Sequence, residues 1–293
     1  MSSILTEKIA VCYTCCGPTY RTSALKKLNE VYSDDDNVYF FILTDDKSFF
    51  KDIQRQNVIV NELKDFYNRF PKLEQNEFFL ESSNSTEYAT RFNQEGYLFP
   101  FSTYRFNILQ AIDHGITNVA LLCTDTYLNI NRIAETNTLN EKEMFYNAVS
   151  EWDVNVEGTH MIHIVNRLKD KFNLDVDVTV RILDAAGRFY VAKDIESLSR
   201  FFNVWNDVIE HLYETTEINL FKGHYVINDE YILAPIYNAL NLSKRRQHSG
   251  SGAFIVNHNQ LQERYWRYGG DGSIKEHNDY QEFLKINNLK HNG

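Results

Sequence analysis

Val38-Tyr39-Phe40-Phe41-Ile42-Leu43-Thr44 is an almost uninterrupted apolar run of strand length. Such a run suits a strand covered on both faces, as in a parallel sheet flanked by helices. Upstream, Lys8 to Tyr13 is a second apolar and β-branched run, followed by the turn-forming Thr14-Cys15-Cys16-Gly17-Pro18. Between them Ala24, Leu25, Leu28, Val31 and Tyr32 recur at helical spacing, with Lys26, Lys27 and Glu30 on the other face. Asp34-Asp35-Asp36-Asn37 ends that helix. Strand, helix and strand in this order form a βαβ unit, so the sheet is expected to be parallel with a right-handed crossover.

Working outward, Asn57 to Val60 reads as a short third strand, and the polar stretch from about Glu74 to Glu95 as a loop. Tyr104 to Ile112 is helical in spacing, and Val119 to Cys123 is another buried strand. In the second half, Thr179 to Leu183, a turn at Ala185-Ala186-Gly187 and Phe189 to Ala192 read as a hairpin. Asp194 is placed to cap a helix whose apolar set is Leu198, Phe201, Phe202, Trp205, Val208, Ile209 and Leu212. A further helix is expected over Glu230 to Leu240, Arg264 to Gly270 is aromatic and basic, and the tail from Lys275 is polar.

The chain has 293 residues with 30 basic and 40 acidic side chains, a net charge of −10. Its 43% apolar content supports a large core and excludes disorder throughout. With 12 Gly and 4 Pro, collagen-like and linker-dominated architectures are excluded. The acidic balance disfavours non-specific binding to nucleic acid or anionic membranes. Cys12, Cys15, Cys16 and Cys123 lack a secretory disulfide spacing, and no second Cys/His pair follows Cys12-x-x-Cys15 at zinc-finger distance. No apolar stretch approaches the roughly 20 residues of a membrane span, and the start lacks a signal-peptide pattern, so the expectation is a cytoplasmic protein.

An open parallel sheet binds ligands beyond the carboxyl ends of its strands, near the point where strand order reverses. The informative residues are therefore Tyr13, Thr14 and Cys15, then Asp45 and Asp46, then Thr124, Asp125 and Thr126. Neither a G-x-G-x-x-G after the first strand nor a G-x-x-x-x-G-K-[ST] is present, which disfavours a dinucleotide site or a P-loop. An aromatic face from Tyr13 and a carboxylate from Asp45 or Asp46 remain as candidates for holding a nucleotide base.

Leu121-Leu122-Cys123-Thr124-Asp125-Thr126-Tyr127-Leu128 resembles the "YLD-x-DTL" segment of GT-A glycosyltransferases, most of all the glycogenin-like retaining enzymes of glycosyltransferase family 8. In those enzymes the two aspartates of D-x-D hold a divalent metal on the donor diphosphate. The second corresponds to Asp125; the first corresponds to Cys123, a departure from the pattern. Thr103-Tyr104-Arg105 resembles the family's Thr-Tyr-x-Arg, one residue tighter, and Asn228-Asp229-Glu230-Tyr231-Ile232-Leu233 its "DQD-x-LN". Gln247-His248-Ser249-Gly250-Ser251-Gly252 resembles its "H-x-G" element, whose His completes the metal site. The family's Lys-Pro-Trp and "FN(A/S)G" elements are not evident.

The resemblance implies one GT-A-like α/β domain over 1–293, with a mixed, mainly parallel sheet flanked by helices. Its nucleotide-binding half would cover about 1–130, and an acceptor half with a C-terminal closing segment about 131–293. It further implies sugar transfer from a nucleotide-sugar donor, expected to be a UDP-sugar, to a hydroxyl acceptor. Asp125 and His248 would hold Mn²⁺ or Mg²⁺, the imidazole tilting the choice towards Mn²⁺. Tyr13, Thr14, Asp45, Asp46, Arg105 and Thr124 would bind the donor, with Arg105 also charge-stabilising the phosphates. Asn228 or Asp229 would face the reacting anomeric carbon, or Asp229 would deprotonate the acceptor if the chemistry inverts. Asp184 is a secondary acceptor-side candidate.

The acceptor class spans a glycan, a protein or the hydroxymethylated DNA base of a virus. Lys244-Arg245-Arg246 and the basic aromatic stretch at 264–267 leave DNA open, while net charge speaks against it. The expected setting is the cytoplasm of a bacterium or of a virus-infected host. Two alternatives stand beside this reading. One is a non-catalytic nucleotide-binding protein, suggested by Cys123; the other is a glycoside hydrolase with two carboxylates about 5–10 Å apart.

Overall fold

The computed structural model describes residues 5–16, 18–30, 36–71, 98–124, 126–136, 138–140, 144–148, 150–159, 161–184, 187–214, 229–247 and 255–257. The strands are β1 (Ile9–Cys15), β2 (Val38–Thr44), β3 (Val58–Glu62), β4 (Asn118–Leu122), β5 (Thr126–Leu128) and β6 (Met144–Ala148). They continue with β7 (Ser150–Asn155), β8 (Thr179–Asp184), β9 (Gly187–Val191), β10 (Ser243–Gln247) and β11 (Ile255–Asn257). The α-helices are α1 (Pro18–Glu30), α2 (Leu63–Arg69), α3 (Leu98–Asp113), α4 (Ile130–Thr136), α5 (Met161–Phe172), α6 (Ile195–Glu214) and α7 (Asp229–Ala239).

The central sheet has the order β10-β6-β9-β4-β1-β2-β3. β1 pairs in parallel with β2, Ile9 opposite Val38, and with β4, Tyr13 opposite Leu122. β2 and β3 are parallel, as are β6 and β10. β9 alone runs against its neighbours, β4 and β6. This is the mixed, mainly parallel α/β sheet expected from the sequence. Strand order reverses between β1 and β4, which makes that crevice the topological switch point.

The Val38–Thr44 run is covered on both faces, as its composition demands. Phe41 and Leu43 join Ala10 and Cys12 in one core layer; Phe40 and Ile42 join Val11 and Tyr13 in the other. That split follows from the two-residue period of a strand. The first layer carries most of the α6 face, and all seven apolar residues named for that helix are buried. Asp194 caps it, accepting from the Ser197 amide at 2.8 Å. α1 begins at Pro18, where a fixed φ and a missing N–H suit a first helical turn.

Three expectations are corrected. The 179–192 stretch is not a hairpin: β8 pairs with β7, Thr179 opposite Asn155, while β9 inserts between β4 and β6. All five β9 residues are buried, which a two-stranded surface hairpin would not provide. Lys27 does not lie on a solvent face but is fully buried. Lys244-Arg245-Arg246 lies in β10, at one end of the central sheet among the described residues. Thr14 and Cys15 continue β1 rather than start a turn. The 74–95 loop, the stretch 264–270 and the tail lie outside the described residues. No helix among the described residues is long and apolar enough to cross a membrane.

α5 and α6 are tied by Arg167, which donates to both Asp207 oxygens at 2.7 and 3.0 Å, and by Lys171 at 2.6 Å from Asp207. Burial alone would raise the Asp207 pKa, but the bonds from Arg167 and Lys171 outweigh it and hold the carboxyl below its ordinary value. A depressed carboxyl contributes stability above its unfolded pKa of about 3.9 and loses it as pH falls through the folded value. Asp207→Asn is therefore expected to lower stability by about 1 kcal/mol at pH 7. Urea titrations should show the gap from wild type closing below about pH 4; a pH-independent gap would contradict this.

Candidate functional site

Three elements meet at the switch point. The Thr14 and Thr103 hydroxyls hydrogen-bond at 2.8 Å, joining the end of β1 to α3. Asn107, one turn on from Thr103 and therefore on the same helix face, donates to the Tyr13 carbonyl at 3.5 Å. The Tyr104 hydroxyl approaches Cys123 Sγ at 4.0 Å, just past β4. The Thr103-Tyr104 pair thus touches the carboxyl ends of both central strands.

Arg105 does not take part. Its guanidinium is fully buried, donates to Asn206 on α6 at 2.5 Å to Oδ1 and 3.3 Å to the carbonyl, and lies 4.8 Å from the Phe70 ring centre. The phosphate role assigned to it is replaced by a structural one, because a side chain closed off on α6 offers no surface to a diphosphate. Arg105→Lys would lose the planar fork and is expected to cost about 1–3 kcal/mol of stability while leaving nucleotide affinity unchanged. Chemical denaturation beside a nucleotide titration separates the two roles, and a loss of affinity at unchanged stability would restore the phosphate role.

Tyr13 is corrected in the same way. Its ring is fully buried and its hydroxyl donates to the Thr126 carbonyl at 2.9 Å, so it braces the loop after β4 instead of offering a stacking face. That loop is held at several points. The Thr126 amide and hydroxyl each donate to the Cys123 carbonyl at 2.9 Å. Ser23 Oγ donates to the Thr124 carbonyl at 2.7 Å, and Lys27 Nζ donates to the same oxygen. Thr124 is 3% exposed and its own hydroxyl has no hydrogen-bond partner among the described residues, which leaves it as a backbone anchor more than a donor-contacting side chain.

Beyond β2, Asp45 and Asp46 have different surroundings. Asp46 caps the 3-10 turn Lys47–Phe50, accepting from the Ser48 hydroxyl at 2.6 Å and the Ser48 amide at 3.0 Å. Those bonds hold its carboxyl below the usual range. Asp45 is the exposed carboxylate at the sheet edge, ion-paired with Arg21 of α1, whose guanidinium lies 5.5 Å from the Phe49 ring centre. Arg21 is the edge cation that sequence reading missed. Its place in the first turn after the first crossover strand is the signal that could have found it.

Asp125, Asn228 and His248 lie outside the described residues, and Asp229 and Asp184 are described in backbone only, as the first residue of α7 and the last of β8. Their flanks are informative. Leu121, Arg188, Asn147 and Arg246 form one row across β4, β9, β6 and β10. β4 and β10 therefore leave the same sheet edge, three strand spacings or about 14 Å apart. β11 then pairs antiparallel with β5, Asn257 opposite Thr126. Among the described residues no three His, Cys, Asp or Glu side chains cluster as a metal site. Cys12 and Cys15 face opposite core layers and cannot share one zinc; burial pushes both thiols up.

No protein-family profile and no curated protein sequence matches the chain. Among solved structures, one described as the apo structure of the bifunctional glycosyltransferase WbbM aligns with TM-score 0.37 at 8% identity, over 83% of this chain and 39% of that one. This chain thus spans about two fifths of the length of that protein, and a likeness at this level leaves the site to be read from its own residues.

Proposed function

We propose that the chain is a glycosyltransferase that moves a sugar from a nucleotide-sugar donor, a UDP-sugar, to a hydroxyl acceptor. The observation that carries this reading is the β5–β11 pairing. It joins the segment that follows Asp125 to the one that follows His248, at the sheet edge where an α/β fold binds ligands. Asp125 and His248 would hold a divalent cation, and one carboxylate with one imidazole is a donor set suited to Mn²⁺. When bound, that cation neutralises the charge growing on the departing diphosphate.

The remaining work falls to the chain. Asp45 accepts from base N–H groups once released by Arg21, and Arg21 is then free to meet a phosphate bidentately. Asp229, the first residue of α7, or Asn228 would face the anomeric carbon. The test is nucleotide release from a panel of UDP-sugars with and without Mn²⁺. Metal-dependent release is expected, and its absence with every donor would remove the proposal. Binding of UDP without release would favour the second reading, a nucleotide-binding protein, for which Cys123 in place of a carboxylate is the specific support.

A further inference from the structure

Lys27 is an unusual residue to find at zero exposure, because burying an ammonium group is costly. A methionine would fill much the same volume without that cost. Its Nζ donates to the Thr124 carbonyl and lies 3.5 Å from Ser23 Oγ, which donates to the same carbonyl at 2.7 Å. Ser23 and Lys27 stand one turn apart on α1, so both reach across to the loop after β4 from one helix face. A carbonyl oxygen has two lone pairs, and this one receives two donors.

We infer that Ser23 and Lys27 are positioning residues for the donor-binding turn at Cys123–Thr126. They fix the carbonyl on the amino side of Asp125, as Tyr13 fixes the Thr126 carbonyl on its other side. The inference rests on the reading of Asp125 as a metal ligand. A ligand supplied by a short turn is effective only if its backbone is held before the ligand arrives. α1 supplies that hold from within the core, where water does not compete for the carbonyl.

The test uses Ser23→Ala, Lys27→Met and the double variant of the full chain, with Ser23→Thr as the conservative control. Amide exchange at Thr126 reports the turn directly; UDP titrations with and without MnCl₂ report its consequence. The double variant is expected to exchange at least about tenfold faster at Thr126 and to bind UDP about tenfold more weakly in Mn²⁺. Metal-free UDP affinity and exchange in β2 should stay as in wild type, and Ser23→Thr should behave as wild type. Wild-type exchange and wild-type Mn²⁺-dependent affinity in the double variant would overturn the inference. Should Lys27→Met fail to fold, Ser23→Ala alone must show the same pattern in smaller degree, or the inference falls. Faster exchange combined with no Mn²⁺ dependence in wild type would sink the metal reading of Asp125 and the donor role with it, while upholding the clamp on the turn.

Discussion

Trp205→Ala is expected to lower the thermal unfolding midpoint by roughly 5–10 °C, from a loss of about 3–5 kcal/mol. Among the described residues Trp205 is the largest fully buried side chain, and it lies in the middle of α6. Its ring centre is 5.6 Å from that of Phe201, which in turn lies 5.2 Å from Tyr190 of β9. The chain of three rings links the helix to β9, the strand of the central sheet that runs against its neighbours. Truncation would open a cavity that the sheet cannot fill, since β9 is fixed on both sides by backbone pairing. Trp205→Phe keeps most of the volume and should cost less than half as much. Circular dichroism melts of both variants measure this, and a shift under about 2 °C for the alanine variant would mean that α6 does not anchor this face.

The first half of the fold was legible because β1, β2 and β4 are buried on both faces and so carry largely continuous apolar runs. Val38–Thr44 needed no context to be read, and its two core layers follow from alternation alone. The second half was harder for a physical reason. β10 reads Ser-Lys-Arg-Arg-Gln, a composition with no strand signal of its own. β9 looked like the second arm of a hairpin because its partner strands, β4 and β6, lie 65 and 39 or more residues upstream in the chain, and local patterning carries nothing about such pairings. Lys27 was placed on the outer face by its charge. Helical spacing alone allowed either side, and the capture of a distant carbonyl decided it.

Around the switch point, the segments that meet were legible in the sequence and the contacts of their side chains were not. Thr103-Tyr104 does meet the ends of β1 and β4, yet the third residue of the same motif, Arg105, turns away to Asn206. Consecutive helical residues point about 100° apart, so a motif quoted as a string never has all its side chains on one target. Asp45 and Asp46 differ for a similar reason: one continues the strand edge outward, the other folds back to cap a turn. Tyr13 shows the opposite error. An aromatic at a strand end was read as a surface for a base, and its hydroxyl instead found a carbonyl inside the core. Tyr13, Asp45 and Arg105 each found partners more than twenty residues away, and such pairings are not written in local sequence.

Asp125→Ala carries the largest expected effect on activity. On the proposed reading the carboxylate is one of two side chains holding the cation, and its partner element departs from the aspartate found in the resembling family, leaving Cys123 half-buried near a tyrosine hydroxyl. With no second carboxylate in that position, the loss of Asp125 has little to fall back on. Charge neutralisation of a departing diphosphate by a metal is worth several kcal/mol, and about 3 kcal/mol corresponds to roughly a hundredfold in rate. Mn²⁺-dependent nucleotide release should therefore fall at least about a hundredfold, and the Mn²⁺-dependent part of the UDP-induced rise in unfolding midpoint should vanish. The midpoint without ligand should stay within a few degrees of wild type, because the turn is held through the carbonyls of Cys123, Thr124 and Thr126 and not through the side chain at 125. An unchanged Mn²⁺ response in Asp125→Ala would remove this residue from the site. A collapse of the ligand-free midpoint would show instead that the side chain is part of the scaffold. His248→Ala, which leaves the carboxylate in place, should weaken the Mn²⁺ response less than Asp125→Ala; the reverse order would make the imidazole the principal ligand.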